Sequence, residues 1–410
     1  MKTLIRKILK EAVGVPADIE KSAENLYNDL IDKIKSLGNI ELEDEDGGDI
    51  EFKFDNKDGR YSFSDFNPKR IFIELSIRFY NSTEHTEPMI YGMGHIGRAS
   101  LSDKLQYVNE PTKNVNLQIS YAQPEDDTEV TTDKIINTLE KNKKESVSSL
   151  AHELKHAYDT NKKPIDTLKS RTQYSVFSNV RLNMPPLNEF IYNLYFIHNI
   201  ENLVRPVEVY TDMVQSGVKT KQEFLDFFKN QKVLKTLKRV LTYTFDELID
   251  DLSKHESEID DFLGNKLDLE IDNLSLEQKV FMTLEYFYRM IQGSVKSGYD
   301  VAVAKSMAQN FSGIDRIMAM IFGNVSIPEK NRKLMSKLEN EVTKFDNNPL
   351  DFYDYEMKKS KMVAEKMIKK LSKLFSLVEE PKTVKTEIFD PMNFEMDQLR
   401  QKIKSRKSLK

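Results

Sequence analysis

Residues 152–156 read His-Glu-Leu-Lys-His. Two imidazoles four positions apart share one side of a helix and can bind one zinc ion. The glutamate between them then sits beside the metal's open position, where it can take a proton from water. The pairing is informative because the 410-residue chain holds only six histidines. Its surroundings read as a helix. Residues 146–159 contain no glycine or proline, and Val147, Leu150, Ala151, Leu154, Ala157 and Tyr158 recur at steps of three and four. His152 and His156 fall opposite that apolar stripe, with Ser148, Lys155 and Asp159. One face should pack on a core while the other looks into solvent or a cleft. The bland alternative is a solvated polar face whose histidines bind nothing.

A catalytic zinc takes three protein ligands and one water, so a third ligand is needed. Residues 205–217 read Arg-Pro-Val-Glu-Val-Tyr-Thr-Asp-Met-Val-Gln-Ser-Gly. Pro206 suits a first helical position and Gly217 a stop. Glu208 and Asp212 lie four apart and share a face turned away from Val207, Tyr210, Met213 and Val214. Glu208 can be the third ligand, and Asp212 can hold a ligand histidine by its second ring nitrogen. Alone, such an acid pair is an ordinary helix surface; the upstream motif favours the ligand reading. Glu201 is the reserve, because it shares that face if the helix runs through Pro206. His198 is a weaker reserve.

His-Glu-Leu-Lys-His-Ala-Tyr-Asp, followed by Pro-Val-Glu-Val-Tyr-Thr-Asp, resembles the gluzincin branch of zinc metallopeptidases, over about residues 110–217. The combination also resembles metallopeptidases predicted in tailed bacteriophages. The resemblance implies His152, His156 and Glu208 as zinc ligands, Glu153 as general base, and Asp212 and Asp159 as acids behind the ligands. A tyrosine or histidine usually helps to hold the oxyanion, and Tyr174, Tyr210 and His198 are candidates. No third histidine follows His156 at the metzincin offset.

The expected fold is α+β and mostly helical, a zincin-like catalytic domain followed by a large helical region. Residues 1–38 read as two helices. Residues 39–125 read as a small antiparallel sheet, with alternation in Ile50–Phe54, Arg60–Phe63, Arg70–Ile77 and Val115–Tyr121, and turns at Asp46-Gly-Gly and Asp58-Gly. Val115–Tyr121 is a candidate edge strand for an extended substrate, with an interior strand as the equal alternative. Residues 126–217 hold the zinc-binding helices, with Leu187–Leu203 read as one core helix. Residues 218–380 form a helical C-terminal region, broken near Gly264, Gly298, Gly313 and Pro328, and 381–410 a tail. Met357–Val378 is amphipathic, with seven lysines between Lys358 and Lys373 on its other face, read as a solvated face. Gly92, Gly94 and Gly97 spell G-x-G-x-x-G but lack the strand-to-helix context of a dinucleotide site, so a glycine loop is expected. The acidic run from Glu41 to Glu51 does not match a calcium-loop register and reads as a solvated hairpin.

Composition narrows the function. An apolar share of 39%, a charged share of 31% and a net charge of −5 suit a globular protein without the basic field that nucleic acid would need. With no cysteine, any zinc is held by nitrogen and oxygen. Lys2, Arg6, Lys7 and Lys10 interrupt what would be a secretory signal, and Leu4, Ile5, Ile8, Leu9 and Val13 form an amphipathic stripe instead. No membrane span is expected. The expectation is a cytoplasmic or virion-incorporated zinc peptidase acting on protein or peptide. The alternative is a structural or assembly protein on a zincin fold, docking through its helical C-terminal region, with structural zinc or none.

Overall fold

Alternating side chains in the first half and a 3.6-residue periodicity in the second sort this chain into a small sheet and many helices. The computed structural model describes residues 13–37, 49–55, 58–63, 72–82, 87–95, 114–124, 131–162, 184–309, 340 and 343–378. In order these give α1 (Ile19–Lys35), β1 (Asp49–Phe54), β2 (Phe72–Ser82), β3 (Met89–His95), β4 (Asn114–Pro124), α2 (Thr132–Lys141), α3 (Lys143–Lys162), α4 (Pro185–Phe196) and α5 (Asn199–Gln215). There follow α6 (Lys221–Asn230), α7 (Lys232–Thr242), α8 (Phe245–Leu252), α9 (Glu256–Asp260), a π-turn at Asp261–Lys266, α10 (Leu276–Gln309), α11 (Leu350–Ser372) and α12 (Phe375–Val378). The result is α+β and mostly helical. The expected N-terminal helix stripe before Val13, most of the acidic run, Gly97, Tyr174, Gly313, Pro328 and the tail lie outside the described residues.

The sheet is mixed, where alternation alone suggested a purely antiparallel one. Its order is β1-β2-β4-β3, with β2 and β4 parallel and the outer pairs antiparallel. β4 enters between β2 and β3 and is paired on both sides, so Val115–Tyr121 is interior. The edge strand beside α3 is β3. Gly92 and Gly94 lie within it, so the glycine loop expected there is a strand for two of its three glycines. Alternation tells a residue which face it occupies and says nothing of which strand lies beside it.

One face of the sheet carries Phe52, Phe54, Ile73, Leu75, Ile77, Phe79, Leu117, Ile119 and Tyr121 into a core shared with α1 and the underside of α3. Val147, Leu150, Ala151, Leu154 and Ala157 are all buried there, as their spacing required. Each such side chain contributes about 1.5–3 kcal/mol by leaving water, and together they fix the rotation of α3 about its axis. A second core gathers α4, α8, α10 and the π-turn. α11 joins the two: Phe352, Tyr353 and Met357 belong to the second core, Ala364, Met367, Ile368 and Leu371 to the first. Of the α11 lysines, Lys370 is half-buried beside Lys155 and Asp159, and burial lowers its pKa.

Two helix boundaries differ from the sequence reading. Leu187–Leu203 is not one helix: Ile197 ends α4, and His198 turns extended (φ −60°, ψ 149°) before α5 begins at Asn199. Pro206 does not start a helix; it lies inside α5. An interior proline costs about 3 kcal/mol, and the fully buried Val204 and Val207 on either side of it offset that cost. Gly217 does end the helix. It adopts φ +68°, and the amides of Gly217 and Val218 bond the carbonyls of Val214 and Met213 in a Schellman motif. Among the described residues no helix is long and apolar enough to cross a membrane.

Candidate metal site

The polar face of α3 does not meet solvent. It meets α5, which runs antiparallel to it, so that His152 faces Glu208 and His156 faces Glu201. His152, Glu153 and His156 are 6–7% exposed, and their ligating atoms lie within 4.8 Å of one another. The two Nε2 atoms are 3.1 Å apart, with the rings inclined at 73°. This buried group could hold a metal ion.

The carboxylate facing those nitrogens belongs to Glu201. Its Oε2 is 3.3 Å from Nε2 of His152 and its Oε1 is 3.4 Å from Nε2 of His156. Glu208, expected as the third ligand, stands on the other side of the ring, with Oε2 3.1 Å from Nδ1 of His152. It therefore meets the second ring nitrogen of His152, the place expected for Asp212. Asp212 lies one turn further on; it accepts a long bond from Gln231 (3.4 Å) and does not reach a histidine. The cause is the run of α5 through Pro206, which brings Glu201 onto the face of Glu208 and sets the pairing with α3 one turn away from the sequence reading. Asp159 forms an ion pair with Lys155, its neighbour on the next turn of α3.

Arg205, which the sequence reading passed over, joins the two glutamates. Its guanidinium donates to Glu201 Oε2 at 3.0 Å and to Glu208 Oε2 at 2.7 Å, and lies over the Phe196 ring at 4.3 Å. The signal was present: Arg205 follows Glu201 by four residues and precedes Glu208 by three, the two spacings at which helix side chains meet. Tyr192 of α4 was also missed. It is 45% exposed, and the charges of Arg205, Glu208 and Glu201 act on its phenol. Of the oxyanion candidates, Tyr210 is buried in the first core and His198 caps α5.

The electrostatics follow from burial and pairing. Burial opposes charge on His152, but its bonds to Glu201 and Glu208 and the charge of Glu153 prevail and hold its pKa up at about 10. Burial likewise opposes charge on Glu208, and Arg205 with His152 pulls it down to about 2. Glu201 is held well below the usual carboxylate range by His152, His156 and Arg205, against its own burial. Comparison with known protein families, with curated proteins and with solved structures found no match.

His198 gives a separate pH signature. Burial lowers its pKa to about 4, against 6.5 for the free side chain. Its neutral form is favoured by the fold, so the associated stability is complete above pH 6.5 and is lost as pH falls toward 4, where the unfolded chain binds a proton the folded one refuses. The loss is about 3 kcal/mol. Denaturant titrations from pH 7 to pH 4 should show this acid slope, and His198→Gln should flatten it.

Proposed function

We propose that this protein is a zinc-dependent peptidase of the gluzincin type, with His152, His156 and Glu201 as metal ligands and Glu153 as general base. The observation that carries the reading is one carboxylate facing two imidazole nitrogens. Donors held about 2.0–2.1 Å from a tetrahedral zinc lie about 3.3 Å from one another; here the two Nε2 atoms are 3.1 Å apart, Oε2 of Glu201 is 3.3 Å from that of His152, and its Oε1 is 3.4 Å from that of His156. Charge supports a dication. Glu153, Glu201 and Glu208 oppose Arg205 and the protonated His152; loss of the His152 proton on metal binding would leave two negative charges in a nearly dry site. An all nitrogen-and-oxygen donor set with two imidazoles suits zinc.

Zinc bound there would lower the pKa of a water and polarise a scissile carbonyl. Glu153, whose Oε1 is 3.8 Å from Nε2 of His152, takes the proton of the attacking water and passes it to the leaving nitrogen. Glu208 accepts from Nδ1 of His152, so Nε2 is the nitrogen that would give up its proton to bind zinc. Arg205 holds both glutamates in place. Edge strand β3, beside α3, suits pairing with an extended substrate backbone, the use a zincin-like catalytic half would make of it.

Elemental analysis of the purified protein should find one zinc per chain, and His152→Ala should lose it. Incubation with a mixed peptide library should yield new termini from the native protein alone. Stoichiometric zinc without any cleavage would favour the alternative, an assembly protein in which the metal is structural.

A further inference from the structure

South of the metal site along the same two helices lies a cleft of about 750 Å³ between α3, α5 and α6. It begins at Glu208 and continues one helical turn beyond His152, to Ser148 and Asp212, about 6 Å along the axis of α3. We infer that this cleft binds a guanidinium or ammonium side chain presented by the substrate, within two or three residues of the bond to be cut. The substrate assignment rests on the peptidase reading; the binding of the cation does not.

Its acidic groups divide by what already occupies them. Glu208 is held by Arg205 and His152. Glu223 accepts the amides of Lys219 and Thr220 as part of a capping box, and Asp226 is bonded by Gln222. Glu145 and Asp212 remain. Asp212 is half-buried with only the long bond from Gln231, and burial together with the charges of Glu145 and Glu208 pushes its pKa upward. Two carboxylates that repel each other across a cleft are a place for a cation.

A second observation is independent of the acids. The Oγ of Ser148 is buried in the cleft wall, the residue being 4% exposed, and has no hydrogen-bond partner among the described residues. Buried hydroxyls are ordinarily paired; this Oγ has almost no accessible surface, so pairing with an N–H-rich ligand in the cleft requires the side chain to turn outward. Phe227 lines the same cleft, a ring of the kind beside which guanidinium groups gain from the π face. An aromatic wall, a hydroxyl acceptor and two spaced carboxylates suit a planar or extended organic cation. A bare metal ion would leave a cleft of this size unfilled, and no imidazole lines it. Lys232 also lines it, is exposed, and opposes the bound charge.

The test uses the full-length zinc-loaded Glu153→Gln protein, titrated by NMR with N-acetyl-arginine amide and with the uncharged N-acetyl-citrulline amide. The arginine probe should bind at least about tenfold more tightly, as a charge-assisted pair would give. Asp212→Asn with Glu145→Gln should erase the difference. The single Glu145→Gln, at an exposed position, should reduce it if the double variant fails to fold. Lys232→Ala should strengthen arginine binding. Equal affinity for the two probes, or displacement of arginine by millimolar calcium, would overturn the inference. With the native enzyme, cut sites should be enriched in Arg or Lys close to the cleaved bond. Arginine binding without any cleavage would sink the peptidase reading and leave this one standing. Cleavage without a basic preference, alongside equal probe affinities, would do the reverse.

Discussion

With zinc bound as proposed, Glu201→Ala should leave the protein without it after gel filtration, whereas Glu208→Ala should weaken binding by only about 10–100-fold. The contrast follows from which ring nitrogen each acid meets. Glu201 faces the Nε2 atoms of both histidines at 3.3 and 3.4 Å, where a shared ion would sit. Glu208 meets Nδ1 of His152 at 3.1 Å, on the far edge of the ring. Removing Glu201 deletes a donor. Removing Glu208 leaves all three donors but frees the tautomer and orientation of His152. The measurement is competition with a chromophoric chelator, for each variant and for Glu201→Gln, which keeps the shape of the side chain. The reverse order of losses would give Glu208 the role of ligand and remove the arrangement on which the proposed function rests.

Glu153→Gln should keep its zinc and lose about 10²–10⁴ in turnover, the range that a positioned general base supplies. The substitution preserves volume and replaces a carboxylate oxygen with an amide nitrogen that has no proton-accepting lone pair. Glu153 is buried, with Oε1 3.8 Å from Nε2 of His152, so bulk water is a poor substitute for it. Zinc content and peptide turnover are read on the same samples. Wild-type turnover in this variant would show that the base lies elsewhere, even if the metal site is correct.

These two expectations separate what periodicity reveals from what packing adds. The helix carrying His152, Glu153 and His156 was legible because its six apolar positions repeat at helical spacing and each is set by its own near neighbours. All but the half-buried Tyr158 lie deep in the core. The end of α5 at Gly217 was legible for a similar reason, since a positive φ at a helix end favours glycine. The beginning of α5 was not. Local rules place proline at a helix start, and only the burial of Val204 and Val207 shows why the helix runs through Pro206. Glu201 stood in the sequence as the second choice for exactly that want of tertiary information. β3 was hidden because glycines at 92 and 94 weaken the alternation, and because its strand character comes from pairing with β4.

By itself the sequence determined that two imidazoles and a carboxylate would sit together on one helix, that no thiolate could join them, and that a small sheet would precede many helices. Those properties depend on residue type and on spacings of a few residues. The tertiary structure alone decided that Glu201 rather than Glu208 faces the two Nε2 atoms, that Arg205 ties it to Glu208, and that β4 lies inside the sheet. Each of those depends on the register between elements far apart in the chain, such as His152 and Glu208, 56 residues apart, and that register is set by how the shared core closes.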